Sequence, residues 1–166
     1  IADPALTPLF IEEFEWCKVR KNESVAILTE SGSRWQYAQA AQSALAALDA
    51  RPFQIQLPSK PADQSEVPTI SEGSASSNVL DELPEVTELL KGVDFVVDLT
   101  LQGLIHSQQR GEILKSGTRT LLIKEPPDAL ARLLPTEERC RRIDRAVERV
   151  SAATTMKVTS NSGTNL

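Results

Sequence analysis

The sequence predicts an α/β fold in three layers, a mostly parallel sheet of about five strands with helices on both faces. Three observations carry that prediction. Continuous apolar runs recur at Ser24–Thr29, Phe95–Leu99 and Thr120–Lys124, and strands buried on both faces read this way. Segments of helical period, Trp35–Leu48 and Val79–Leu90, separate them. After one leading helix, strand and helix then alternate about five times, the order that parallel strands joined by helical crossovers require.

Each element has its own signal. Thr7-Pro8 reads as a helix opening, a capping hydroxyl followed by proline. Leu6, Phe10, Phe14 and Cys17 then share a face, with Trp16 off its centre. Ser31-Gly32-Ser33 turns the chain into the alanine-rich helix, whose inward face is Tyr37, Ala41, Ala44, Leu45 and Leu48. Phe53, Ile55 and Leu57 alternate with polar residues, the pattern of a half-buried strand. Pro58–Asn78 is rich in serine and proline and has no period, so it reads as a solvated insertion or as a lid over a site. The Val79–Leu90 helix ends at Gly92. Ser107 reads as the cap of a short helix closed by Gly117, and Asp128–Leu134 as another short helix. The longest helix follows, with Cys140, Ile143, Val147 and Val150 as its inner stripe. Pairs Glu137–Arg141 and Glu138–Arg142 on its outer face make that face a solvated one. Met156–Ser160 reads as a last short strand. The whole is of flavodoxin or Rossmann type.

Composition narrows the function classes. At 166 residues the chain fits one domain, long enough to bury about 70% of the surface its unfolded form exposes. A net charge of −5 speaks against a general binder of nucleic acid. No apolar run reaches the roughly 18 to 20 residues of a membrane helix, and no signal-peptide layout is present. Cys17 and Cys140 lie far apart in sequence with no CxxC pair, which suits two buried thiols in a reducing cytoplasm. One histidine and two distant cysteines do not make a zinc site, so no metal site is expected in this chain. Three nucleotide and hydrolase motifs are absent. TESGSRW after the first strand has one glycine where a dinucleotide fingerprint has three. Neither a phosphate-binding G-x-x-x-x-G-K-[ST] loop nor a G-x-S-x-G nucleophile elbow occurs.

What chemistry remains centres on His106, the only histidine. Imidazole is the side chain whose ordinary titration lies nearest neutral pH. In an open parallel sheet, ligands gather outside the carboxyl ends of the strands. The turn ending on His106 follows a strand at that edge, and Glu125 follows the next strand. A histidine that merely precedes a helix cap would fit the same spacing.

From Asp94 onward the runs DFVVDLTLQGLIHS, ILKSGTRTLLIKEPPDALARLLPTEERCRR and KVTSNSGTNL add a further signal. They resemble the N-terminal domain of the 2,5-dihydroxypyridine 5,6-dioxygenases, ring-cleaving non-haem Fe(II) enzymes of nicotinate degradation. That family is similar in fold to the aminopeptidase T metallopeptidases. EPPDALARLLPTEE is the most specific piece, since no generic fold pressure demands it. The resemblance implies that residues 1–166 are a single α/β domain, the N-terminal one of a longer two-domain enzyme. It implies that Fe(II), or zinc or cobalt in a peptidase, is held by histidines and carboxylates beyond Leu166. It also implies that His106 reaches the active site as an acid/base or substrate-orienting group, with Ile105 and Glu125 near the substrate. The family's usual residue at position 105 is leucine. The expected partner is a small aromatic hydroxypyridine, or a peptide N-terminus in the peptidase alternative, with no nucleic acid and no membrane. A non-catalytic flavodoxin-like binding module is the third reading. A domain separated from its neighbour exposes apolar surface, so a homo-oligomer such as a dimer is expected.

Overall fold

The two inner strands of the sheet are β1 (Ser24–Thr29) and β3 (Phe95–Asp98), and their side chains are almost wholly buried. In the computed structural model, which describes residues 5–58, 79–101 and 103–165, they pair in parallel, with Val25 opposite Phe95 and Leu28 opposite Asp98. The edges are β2 (Arg51–Gln56) beside β1 and β4 (Arg119–Leu122) beside β3, both parallel. The order β2-β1-β3-β4 is that of a flavodoxin-like doubly wound sheet. Edge position explains why β2 and β4 bury their side chains less completely than the inner pair.

Alternation along the inner strands divides the core in two. Val25, Ile27, Phe95 and Val97 face α1 (Leu6–Trp16), α2 (Trp35–Ala47) and α5 (Pro127–Leu133). Ala26, Leu28 and Val96 face α3 (Pro84–Lys91) and α4 (Arg110–Lys115), where Leu80, Leu90 and Ile113 are buried. This gives three layers. On the first face Phe14 lies edge-on to Phe10 and to Phe95, and Phe10 edge-on to Tyr37.

At the amino edge of the sheet Asp94 joins the two inner strands. Its carboxylate accepts from the Ser24 backbone N–H and hydroxyl, both at 2.7 Å. Those bonds hold its pKa below the usual carboxylate range, with Arg51 and Arg119 assisting. A depressed carboxylate stabilises the fold above its ordinary titration range and loses that contribution as pH falls through the depressed value. Asp94→Asn is expected to cost about 1 kcal/mol at neutral pH, the low end for a bond to a charged group, because water screens this one. Urea melts of wild type and variant should converge as the pH falls below the range in which the Asp94 carboxylate is ionised. A difference that persisted there would assign the effect to packing instead.

Several expectations need correction. The described residues hold a sheet of four strands, not about five. Met156–Ser160 forms no strand beyond the single antiparallel bridge of Thr159 with Asn165. Its apolar residues are exposed, and the Ser160–Thr164 turn folds the chain back on itself. Thr7 is not a cap. The helix starts at Leu6, with Ala5 in the cap position, because burying Leu6 draws the first turn onto the core. Pro8 is then still in the first turn, where no intrahelical donor is lost. The Val79–Leu90 helix is a 3-10 turn, Val79–Glu82, followed by α3, since the residue before Pro84 is pushed out of the helical region. Ser107 is not the cap of α4, which starts three residues beyond it at Arg110 with Gln109 in the cap position, although its hydroxyl accepts from Gln109 N–H. Cys17 and Cys140 are free and half-buried rather than fully buried. Burial, followed by the Glu13 charge, pushes the Cys17 thiol up to about 11. Residues 59–78 of the expected insertion lie outside the described residues.

The chain divides into two compact units, residues 1–134 and 135–166. In the second, α6 (Glu137–Ser151) is capped by Thr136 and carries the expected Glu137–Arg141 and Glu138–Arg142 pairs. Its apolar stripe is not buried. Ile143, Val147 and Val150 are each more than half exposed, because a single helix with a short tail has too little chain to enclose them.

Candidate functional site at the carboxyl edge

The strand order reverses between β1 and β3, and the crevice at such a switch point is where doubly wound sheets bind ligands. Two turns meet there. After β1, Glu30–Arg34 leads into α2. After β3, the chain runs from Leu99 to the 3-10 turn Leu104–His106.

The two turns interlock. The Ser33 hydroxyl donates to the Leu99 carbonyl at 2.8 Å and accepts from Glu30 N–H at 2.8 Å. The Glu30 carboxylate accepts from Leu101 N–H. Gly32 lies so close to Leu101 that a Cβ there would stand 2.6 Å from its Cδ1. A side chain at position 32 would have to turn the exposed Leu101 side chain aside.

Asp98, 1% exposed, ends β3 and organises the turn that follows it. One carboxylate oxygen accepts from Thr100 N–H at 3.0 Å and from the Thr100 hydroxyl at 2.7 Å. The other accepts from Leu104 N–H. Thr100 Oγ1 in turn accepts from Gly103 N–H at 3.1 Å. Gly103 has φ of +77°, and a Cβ on it would stand 3.1 Å from a Leu122 methyl on β4. Left-handed backbone and close approach together make glycine the residue for this position.

The outcome is a turn with one face buried and the other open. Leu104 and Ser107 are buried, while Ile105 is 52% exposed and His106 is exposed. His106 N–H donates to the Gly103 carbonyl at 3.2 Å, and Ser107 N–H to the Leu104 carbonyl at 3.0 Å. On the far side the Ser107 hydroxyl and Gln108 N–H both donate to Asp81, at 2.7 and 3.0 Å. The imidazole is therefore carried by a backbone fixed before and after it.

Glu125 follows β4, the neighbour of β3, at the same edge. Its carbonyl accepts from the Tyr37 hydroxyl at 2.6 Å and its carboxylate from Lys124 N–H at 3.1 Å. Neither bond reaches His106. The edge also holds a cavity of about 280 Å³, lined among others by Ser33, Arg34, Tyr37, Thr100 and Lys124. Ile105, His106 and Glu125 are not part of its lining. The structure thus puts the three predicted residues on one edge of the sheet without joining them in one pocket. Among the described residues no three His, Cys, Asp or Glu side chains come together as metal ligands.

Comparison with known proteins adds the family. Residues 5–166 match the family described as 2,5-dihydroxypyridine 5,6-dioxygenase (NicX). The chain belongs to that family. It is 32% identical to the 2,5-dihydroxypyridine 5,6-dioxygenase of Pseudomonas putida KT2440 over 99% of its own length and 46% of the relative's. It also superposes on the solved structure of the 2,5-dihydroxypyridine dioxygenase from that organism with a TM-score of 0.83 and 31% identity. That match covers 96% of this chain and 45% of the other. The chain spans about half the length of the dioxygenases it matches.

For a member of the dioxygenase family, the residues that sequence reasoning passed over are those beneath the His106 turn. Asp98 reads in sequence as the polar end of a buried strand. The available signal was a threonine two residues on, the spacing of a carboxylate that accepts from the backbone just ahead of it. Glu30 and Ser33 gave no such signal, since their partners Leu101 and Leu99 lie far along the chain.

Proposed function

We propose that this chain is the α/β part of a cytoplasmic 2,5-dihydroxypyridine 5,6-dioxygenase and that it supplies His106 to the substrate. The observation that carries the reading is the Ile105–His106 turn. It is exposed at the switch point of the sheet, yet held by hydrogen bonds on both sides. A catalytic proton carrier needs that combination, because proton transfer depends on a donor placed within hydrogen-bond reach of the reacting group. In this reading the imidazole takes the proton of a ring hydroxyl as dioxygen adds across C5 and C6, and it returns that proton to the ring-opened product. Ile105 offers an apolar surface to the ring, and Glu125 approaches from the adjacent strand end. The ferrous iron that the family's chemistry calls for would activate dioxygen.

The test is a direct assay. The full-length enzyme that carries this domain, supplied with ferrous iron under air, is offered 2,5-dihydroxypyridine, and loss of substrate absorbance is followed alongside dioxygen uptake; the isolated domain is expected to be inactive. One dioxygen consumed per ring opened is the expected result. Release of leucine from a leucyl peptide, with the pyridine left intact, would move the chain to the peptidase reading.

A further inference from the structure

We infer that Asp98 is the positioning residue of this site: its buried carboxylate sets where the Ile105–His106 turn stands. The inference rests on the role proposed for His106 and deepens it. Asp98 is almost completely enclosed, and among the described residues no lysine or arginine pairs with it. A buried carboxylate without a cation must have its oxygens satisfied by other donors. Here those donors are the Thr100 N–H and hydroxyl on one oxygen and the Leu104 N–H on the other. All belong to the segment that ends on His106. The carboxylate therefore gathers the start and the end of the turn onto a single group at the tip of the central strand. Bonds to a carboxylate are shorter and stronger than bonds to a neutral acceptor, so this is a firm anchor for the turn. Asp81 holds the following residues from the helical layer. Ile105 and His106 are the exposed residues between the two anchors.

Asp98→Asn is the informative change, because it keeps the shape and replaces one acceptor oxygen by a donor facing a donor. Amide hydrogen exchange reads the turn. Exchange at Leu104 and Thr100 should rise at least tenfold, with Val96 and Val97 unchanged. Kinetics on the ring-opening activity read its purpose. Asp98→Asn should lower kcat at least tenfold in the wild-type background and less than twofold in the His106→Ala background, since a positioning residue has nothing left to position. Equal losses in both backgrounds, or exchange raised uniformly through the sheet, would overturn the inference. If His106→Ala alone leaves turnover intact while Asp98→Asn frees Leu104, the catalytic reading of His106 fails and the anchor stands. Thr100→Val serves if Asp98→Asn does not fold. It removes one donor and should give the same local pattern at smaller amplitude, and an unchanged Leu104 would count against the anchor.

Discussion

His106→Ala is expected to lower kcat for 2,5-dihydroxypyridine by about 10²-fold or more, the usual contribution of a general acid/base. KM should change little, because a general acid/base acts in the step where the proton moves rather than in binding. The variant should fold as wild type does, since His106 is exposed and its backbone bonds to Gly103 persist in any residue with an N–H. His106→Gln separates the two roles open to the side chain. Glutamine can donate a hydrogen bond and orient a hydroxyl, but it does not carry a proton away at neutral pH. Recovery of most of the activity in that variant would make His106 an orienting group. Persistent loss, with one limb of the wild-type pH–rate profile missing, identifies a proton carrier. Turnover within a few-fold of wild type in both variants would return the histidine to an ordinary surface residue.

Phe14→Ala carries the largest effect on stability. The ring is fully buried, lies 5.8 Å from Phe10 and 6.2 Å from Phe95, and so joins the first helix to the central strand. Truncating such a ring costs about 3 to 5 kcal/mol through lost transfer energy and an unfilled cavity. A domain of this size has about 5 to 15 kcal/mol in total, so the variant should stand near the edge of folding. Urea unfolding followed by tryptophan fluorescence measures it, with Trp16 two residues along as the reporter. Phe14→Leu keeps more of the buried area and should lose less. A loss below about 1 kcal/mol for Phe14→Ala would mean that neighbouring side chains collapse into the space.

The inner strands were legible because burial on both faces leaves no polar alternation, as in Val25–Leu28 and Phe95–Val97. The edge on which His106 sits followed from chain order alone, since every strand in a parallel sheet ends at the same side. What sequence does not carry is contact between distant segments. That Ser33 bonds to Leu99 and Glu30 to Leu101 depends on β1 and β3 being neighbours, and periodicity does not say which strands adjoin. The stripe of α6 failed for a different reason. Cys140, Ile143, Val147 and Val150 have helical spacing, but spacing tells which residues share a face and not whether anything covers it. Asp98 has two identities, the end of a buried strand and the root of the next turn, and local pattern carries only the first.

The seating of Leu101 against Gly32 has an evolutionary consequence. A residue in one turn is limited in size by a side chain on another, so change at position 32 is constrained by a partner that a local comparison of sequences would not reveal. Any side chain introduced there displaces Leu101 first, and the disturbance arrives at the turn bearing His106 before it reaches the rest of the sheet. Swapping in the β1 turn of a relative would therefore first re-seat the exposed Leu101 side chain, and exchanging position 101 with it would spare that adjustment.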